Sequence, residues 1–135
     1  MKRERVHTGL SLLYVEDDNI ATEYVELIVR PEYYFTSAVN GEEALTKIQE
    51  TRYDILLIDI NLRKGYDGIS LTKKIRESEN YKDTPIVAVT AYAMSGDKEE
   101  FLANGIDYYL PKPFRHVELL QMLSEITGRI KAAGR

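Results

Sequence analysis

The sequence predicts an α/β fold: an open, doubly wound parallel sheet of five strands with helices on both faces. Three observations lead there. Short apolar runs rich in β-branched residues alternate with segments of helical periodicity, and that alternation builds a parallel sheet. One run, Asp54-Ile55-Leu56-Leu57-Ile58-Asp59-Ile60-Asn61, is apolar over four residues without a break, with Ile60 adding a fifth just past Asp59. That is the pattern of a strand buried on both faces. Finally, polar and acidic residues close several of these runs, at the edge where open α/β sheets bind ligands.

Taken in order, Leu10 to Val15 forms the first strand and is followed at once by Glu16, Asp17 and Asp18. A helix is predicted from Asn19 to Arg30, with Ile20, Tyr24, Leu27 and Ile28 on one apolar face, ended by Pro31. Tyr33 to Ala38 gives the second strand. Asn40 and Glu43 have the spacing of a capping box, and Ala44, Leu45 and Ile48 then carry a helical stripe to Thr51. The third strand spans 54–60. A polar loop, Asn61 to Asp67, precedes a weaker helix carrying Ile69, Thr72 and Ile75, which runs to Ser78. After a turn at 79–84, Pro85 opens the fourth strand, Ile86 to Thr90, a position where proline is tolerated. Ser95 begins the next helix, with Asp97, Glu99 and Glu100 favoured near its positive end; Asn104-Gly105 stops it. The fifth strand is Asp107 to Leu110. After Pro111-Lys112-Pro113-Phe114, the last helix is predicted from Arg115 to Thr127, with Val117, Leu120, Leu123 and Ile126 inward and Gly128 as its end. The flavodoxin-like strand order 2-1-3-4-5 is the expected arrangement.

At 135 residues, 44% of them hydrophobic, the chain fits one domain with a real core. Residues 1–9 are expected to be a flexible basic extension, 10–127 the folded domain, and 128–135 a basic tail. No second domain is read, so the chain is expected either to stand free or to belong to a larger protein. It has no cysteine, which excludes disulfides, thiolate metal sites and cysteine nucleophiles. No apolar run approaches a membrane span, and Leu10 to Val15 is too short for a signal peptide's apolar core; cytoplasmic residence is the default. Six of the 18 basic residues lie in the tails, against one of the 22 acids, so residues 10–128 hold 12 basic and 21 acidic groups. A body that acidic is a poor direct binder of nucleic acid.

The predicted order brings Glu16, Asp17, Asp59, Thr90 and Lys112 to one sheet edge. Singly, each has a plain structural role: helix cap, strand end, surface lysine. Together they describe a site. Ionised carboxylates ~4 Å apart repel by roughly 4 kcal/mol per pair at an effective dielectric of about 20, which a cation relieves. Oxygen ligands without Cys or His point to Mg²⁺ or Mn²⁺. Mg²⁺ keeps positions open for phosphate oxygens, and phosphoryl transfer needs positioning and charge neutralisation above all. Asp59 is then the candidate nucleophile, Lys112 the phosphate-binding cation and Thr90 a hydroxyl donor.

With these residues in view, the chain resembles the receiver domain of two-component response regulators, over about residues 10–127. The matching pieces are Tyr14-Val15-Glu16-Asp17-Asp18, Leu57-Ile58-Asp59-Ile60-Asn61, Val89-Thr90-Ala91 and Tyr109-Leu110-Pro111-Lys112-Pro113-Phe114. The resemblance implies that Asp59 is the phosphoacceptor, Glu16 and Asp17 the acidic pair with Asp17 a direct metal ligand, and that Asn61 offers its backbone carbonyl to the metal. It implies Thr90 as switch hydroxyl, Tyr109 as switch aromatic, Lys112 as the phosphate-binding lysine and a cis Lys112–Pro113 bond. The implied partners are a sensor histidine kinase or phosphotransfer protein, and a downstream protein on the face of helix four, strand five and helix five. The implied role is a switch rather than an enzyme, with at most self-phosphorylation from small donors and autodephosphorylation. Residues 91–97 are similar to receivers of hybrid histidine kinases. Two departures stand out: Arg63 replaces a frequent proline, and the loop 62–68 is one residue longer than the commonest pattern. A Mg²⁺-dependent phosphohydrolase is disfavoured because the chain has no cap elements and its first-strand acids are adjacent. A flavodoxin is disfavoured because three acids would face the FMN phosphate, and a pseudo-receiver because the residue set is complete.

Overall fold

The computed structural model describes residues 5–62, 65–91 and 97–134. Among them strands and helices alternate: β1 (Ser11–Val15), α1 (Asn19–Val29), β2 (Tyr34–Ala38), α2 (Gly41–Glu50), β3 (Ile55–Asp59), α3 (Gly68–Arg76), β4 (Ile86–Thr90), α4 (Asp97–Ala103), β5 (Tyr108–Pro111) and α5 (His116–Ala132). Every pairing is parallel, and the order β2-β1-β3-β4-β5 is the predicted one. The helix start predicted at Ser95, and Arg63 and Tyr92, lie outside the described residues.

The apolar runs behave as expected of strands covered on both sides. Every residue of β3 and β4 is buried, whereas the edge strand β2 is buried only at Ala38. Alternating side chains feed two core layers. One layer joins Leu12, Tyr14, Leu57 and Val89 to Val25, Ile28 and Val29 of α1 and Leu119, Leu123 and Ile126 of α5. The other joins Leu13, Val15, Leu56, Ile58 and Ala88 to Ala44, Leu71, Ile75 and Phe101 beneath α2, α3 and α4.

Three expectations need correction. First, α1 buries only Ile28 of the face read from its sequence: Ile20 and Leu27 are 78% and 75% exposed and Tyr24 42%, while Val25 and Val29 join Ile28 inside. The buried face is rotated from the predicted one and shares Ile28 with it. Second, α5 buries Leu119 rather than Leu120, and continues through Gly128 to Ala132. Residues 128–132 are therefore helix, not tail. Gly128 has open space around the position of a Cβ, and the helix is carried past it by Ile130 in the core and by Arg129, whose guanidinium lies 5.6 Å from the Tyr108 ring centre. Third, residues 5–9 are tied down. Thr8 bonds the Glu32 carbonyl through both its amide and its hydroxyl, Lys131 Nζ donates to the Thr8 carbonyl at 2.9 Å, and Arg5 pairs with Glu32 at 3.1 Å.

Capping sets the loops at the carboxyl edge. Asp18 accepts from Ile20 N at 3.0 Å and starts α1, which leaves Glu16 and Asp17 for other work. Asn40 caps α2 through Glu43 N, but the Glu43 carboxylate meets Lys47 at 3.3 Å instead of turning back. Asp67 accepts from Ser70 N and starts α3, and Gly65 supplies a left-handed turn (φ 73°) in the loop before it.

Candidate functional site

Register places the site. Val15 pairs with Ile58, Asp59 with Val89, and Thr90 with Pro111, so Glu16, Asp59, Thr90 and Lys112 emerge along one line at the carboxyl ends of β1, β3, β4 and β5. Glu16 and Asp59 are 2% and 5% exposed. One carboxylate oxygen from each of Glu16, Asp17 and Asp59 lies within 4.8 Å of the others. The Lys112–Pro113 peptide is cis, as expected, and the Lys112 amide donates to the Thr90 carbonyl at 2.7 Å. Lys112 Nζ reaches Glu16 Oε1 at 2.7 Å and stands 3.8 Å from Asp59 Oδ2.

The remaining polar atoms are supplied locally. Asp59 Oδ1 accepts from the Asn61 amide at 3.0 Å. Glu16 Oε2 accepts from the Asp18 amide at 3.3 Å, and Glu16 Oε1 also accepts from the Tyr14 hydroxyl at 2.7 Å. Burial and the neighbouring Glu16 carboxylate push the Asp59 carboxyl up to about 6, against the lowering effect of the Asn61 amide and Lys112. Burial, then the Glu16 charge, raises the Tyr14 hydroxyl. A buried carboxyl held partly protonated beside a second carboxylate is the electrostatic signature of a site short of positive charge. The donor set fits a small, hard divalent cation: three carboxylates with no sulfur or imidazole among them.

The sequence-predicted residues Glu16, Asp17, Asp59 and Lys112 are thus brought together, with Asn61 and Thr90 adjoining through their backbones. Thr90 is buried. Tyr109 is half-buried against the core layer beneath α2, α3 and α4, its ring 6.3 Å from that of Phe101. Sequence reasoning assigned no role to Tyr14. The signal was available, because residues two apart on a strand share a face, so Tyr14 had to lie beside Glu16.

Residues 12–124 match the family model of the response regulator receiver domain. The chain belongs to that family. The receiver is 31% identical over 119 residues to the polar-differentiation response regulator DivK of Brucella anthropi, covering 87% of this chain and 96% of that protein. It is 37% identical to the receiver domain of a sensor histidine kinase from Pseudomonas aeruginosa, solved with a magnesium ion coordinated in its active site cleft; the TM-score is 0.80 over 89% of this chain and 98% of that one. Chemotaxis protein CheY4 of Vibrio cholerae superposes with a TM-score of 0.83 at 30% identity over 87% and 98% of the two chains. A receiver is a phosphoacceptor of two-component signalling, a switch rather than an enzyme in the ordinary sense. Among its described residues, no helix is long and apolar enough to cross a membrane.

Proposed function

We propose that Asp59 is the phosphoacceptor, and that a sensor histidine kinase or phosphotransfer protein supplies the phosphoryl group from a phosphohistidine. An Asp59 carboxylate oxygen attacks phosphorus, the P–N bond breaks, and the imidazole leaves with the electron pair, so that an acyl phosphate forms on Asp59. The observation that supports this reading is the convergence of Glu16, Asp17 and Asp59 with the Lys112 ammonium at one sheet edge. Asp17, Asp59 and the Asn61 carbonyl are the proposed direct ligands of Mg²⁺ (or Mn²⁺), and Glu16 supports them from outside. The cation, when bound, neutralises charge on the phosphoryl oxygens. Lys112 does the same from the opposite side, and the Thr90 hydroxyl donates to the new group.

The test is incubation with acetyl phosphate and Mg²⁺ followed by intact mass. The parent chain should gain one phosphoryl mass and Asp59→Asn none; a full adduct on Asp59→Asn sinks the assignment. In the same preparation, amide shifts should move along the described part of α4, β5 and α5. That is the proposed face for a downstream protein, with Thr90 drawn to the phosphate and Tyr109 turning inward.

Metal titration gives a second prediction. Asp17→Ala should raise the Mg²⁺ concentration for half-saturation roughly tenfold or more, and by a larger factor than Glu16→Gln does. Equal affinities for Asp17→Ala and the parent would remove Asp17 from the ligand set.

A further inference from the structure

The Tyr14 ring is plain core: it is fully buried in the layer beneath α1 and α5, and a phenylalanine would fill the same space. Its hydroxyl is another matter. A buried tyrosine hydroxyl needs a partner, and here the partner is the site carboxylate Glu16, at 2.7 Å. The oxygen it takes, Oε1, is the one that also accepts from Lys112 Nζ at 2.7 Å. The other oxygen is held by the Asp18 amide at 3.3 Å. Glu16 is thus fixed at three points, and Lys112 shares its anchor with Tyr14.

This sharing bears on what Lys112 does next. To hold a phosphoryl group on Asp59, its ammonium must give up Glu16 for the new oxygens. Without another donor, that move strips a buried carboxylate oxygen of its partner, which is costly. With the Tyr14 hydroxyl in place, Oε1 stays bonded.

Resting on the phosphoacceptor reading above, we propose that Tyr14 is a positioning residue for phosphoryl transfer: its hydroxyl keeps Glu16 partnered and so frees Lys112 for the phosphoryl group. Tyr14 touches no reacting atom and acts through Glu16. Its hydroxyl should therefore matter only while Lys112 is present.

A double-mutant cycle of Tyr14→Phe with Lys112→Met tests this. Two readouts serve: the maximal rate of phosphorylation by acetyl phosphate at saturating Mg²⁺, and the affinity for beryllofluoride by ¹⁹F NMR, which reads the Lys112→Met background even where transfer is slow. Tyr14→Phe should lower both roughly threefold to tenfold, the worth of one buried hydrogen bond. In the Lys112→Met background the same substitution should change neither. A merely structural role would cost the same in both backgrounds; that result, or no loss in either, overturns the proposal. A parent chain that accepts no phosphate overturns the phosphoacceptor reading and this inference together, whereas a phosphorylated parent with a flat cycle overturns this inference alone.

Discussion

In chelator at pH 7.5, Asp59→Asn should melt roughly 5–10 °C above the parent chain. The Asp59 carboxyl lies at about 6 in the folded protein, against about 3.9 in an unfolded chain. The folded state therefore prefers this group protonated, and binds more protons than the unfolded chain between those two values. Stability falls as pH rises through that window, and above it the penalty is fully present, about 3 kcal/mol. Asparagine mimics the neutral form and keeps an oxygen for the Asn61 amide, so it escapes the penalty. The gap between variant and parent should be full above pH ~6 and close towards pH ~4. Using the difference between two chains cancels the other carboxylates that titrate in the same range. Added Mg²⁺ should narrow the gap, because only the parent offers the metal its third carboxylate. A gap that is flat with pH, or a parent that melts above the variant in chelator, contradicts the electrostatic description of the site.

The second large effect is expected from a methyl group. Gly68 opens α3 and its amide donates to the Ile60 carbonyl at 3.1 Å. A Cβ there would stand 2.5 Å from Ile60 Cα and 2.7 Å from the Asp59 carbonyl oxygen. Both are backbone atoms at the end of the central strand and cannot swing aside. Alanine gains at most about 1 kcal/mol from helix propensity; the overlap costs more, so Gly68→Ala should destabilise by roughly 2–4 kcal/mol in urea unfolding. A stability within about 0.5 kcal/mol of the parent would show that α3 can slide away from β3 freely. Gly68 closes the loop that follows β3, so the start of α3 is held hard against the end of that strand.

How far the sequence could be read follows from where its signals are unambiguous. β3 and β4 are buried on both faces, so their apolar runs had one reading, and their ends fixed Asp59 and Thr90 in space. The acids after β1 were sorted in the sequence, Glu16 and Asp17 to the site; the structure adds what Asp18 does, which is to cap α1. Helix faces were harder. In α1 the predicted face Ile20, Tyr24, Leu27, Ile28 overlaps the buried one, Val25, Ile28, Val29, at Ile28 alone, and periodicity cannot say which face a sheet will cover. In α5, Gly128 is a stop signal that packing overrode, since Ile130 is buried one turn beyond the predicted end. The clamp of residues 5–9 is made of long-range polar contacts, which leave no periodic trace. The Tyr14 hydroxyl was hidden by its own ring, which reads as core.

That clamp carries a topological consequence. The Lys131–Thr8 hydrogen bond ties the segment before β1 to the last turn of α5, at the edge where the strands begin. The Asp59 carboxylate sits where they finish, about 17 Å away for strands of this length. The described chain therefore starts and finishes at the pole opposite Asp59. The pole that carries Glu16, Asp59 and Lys112 is thereby kept clear of the segments where the described chain starts and finishes.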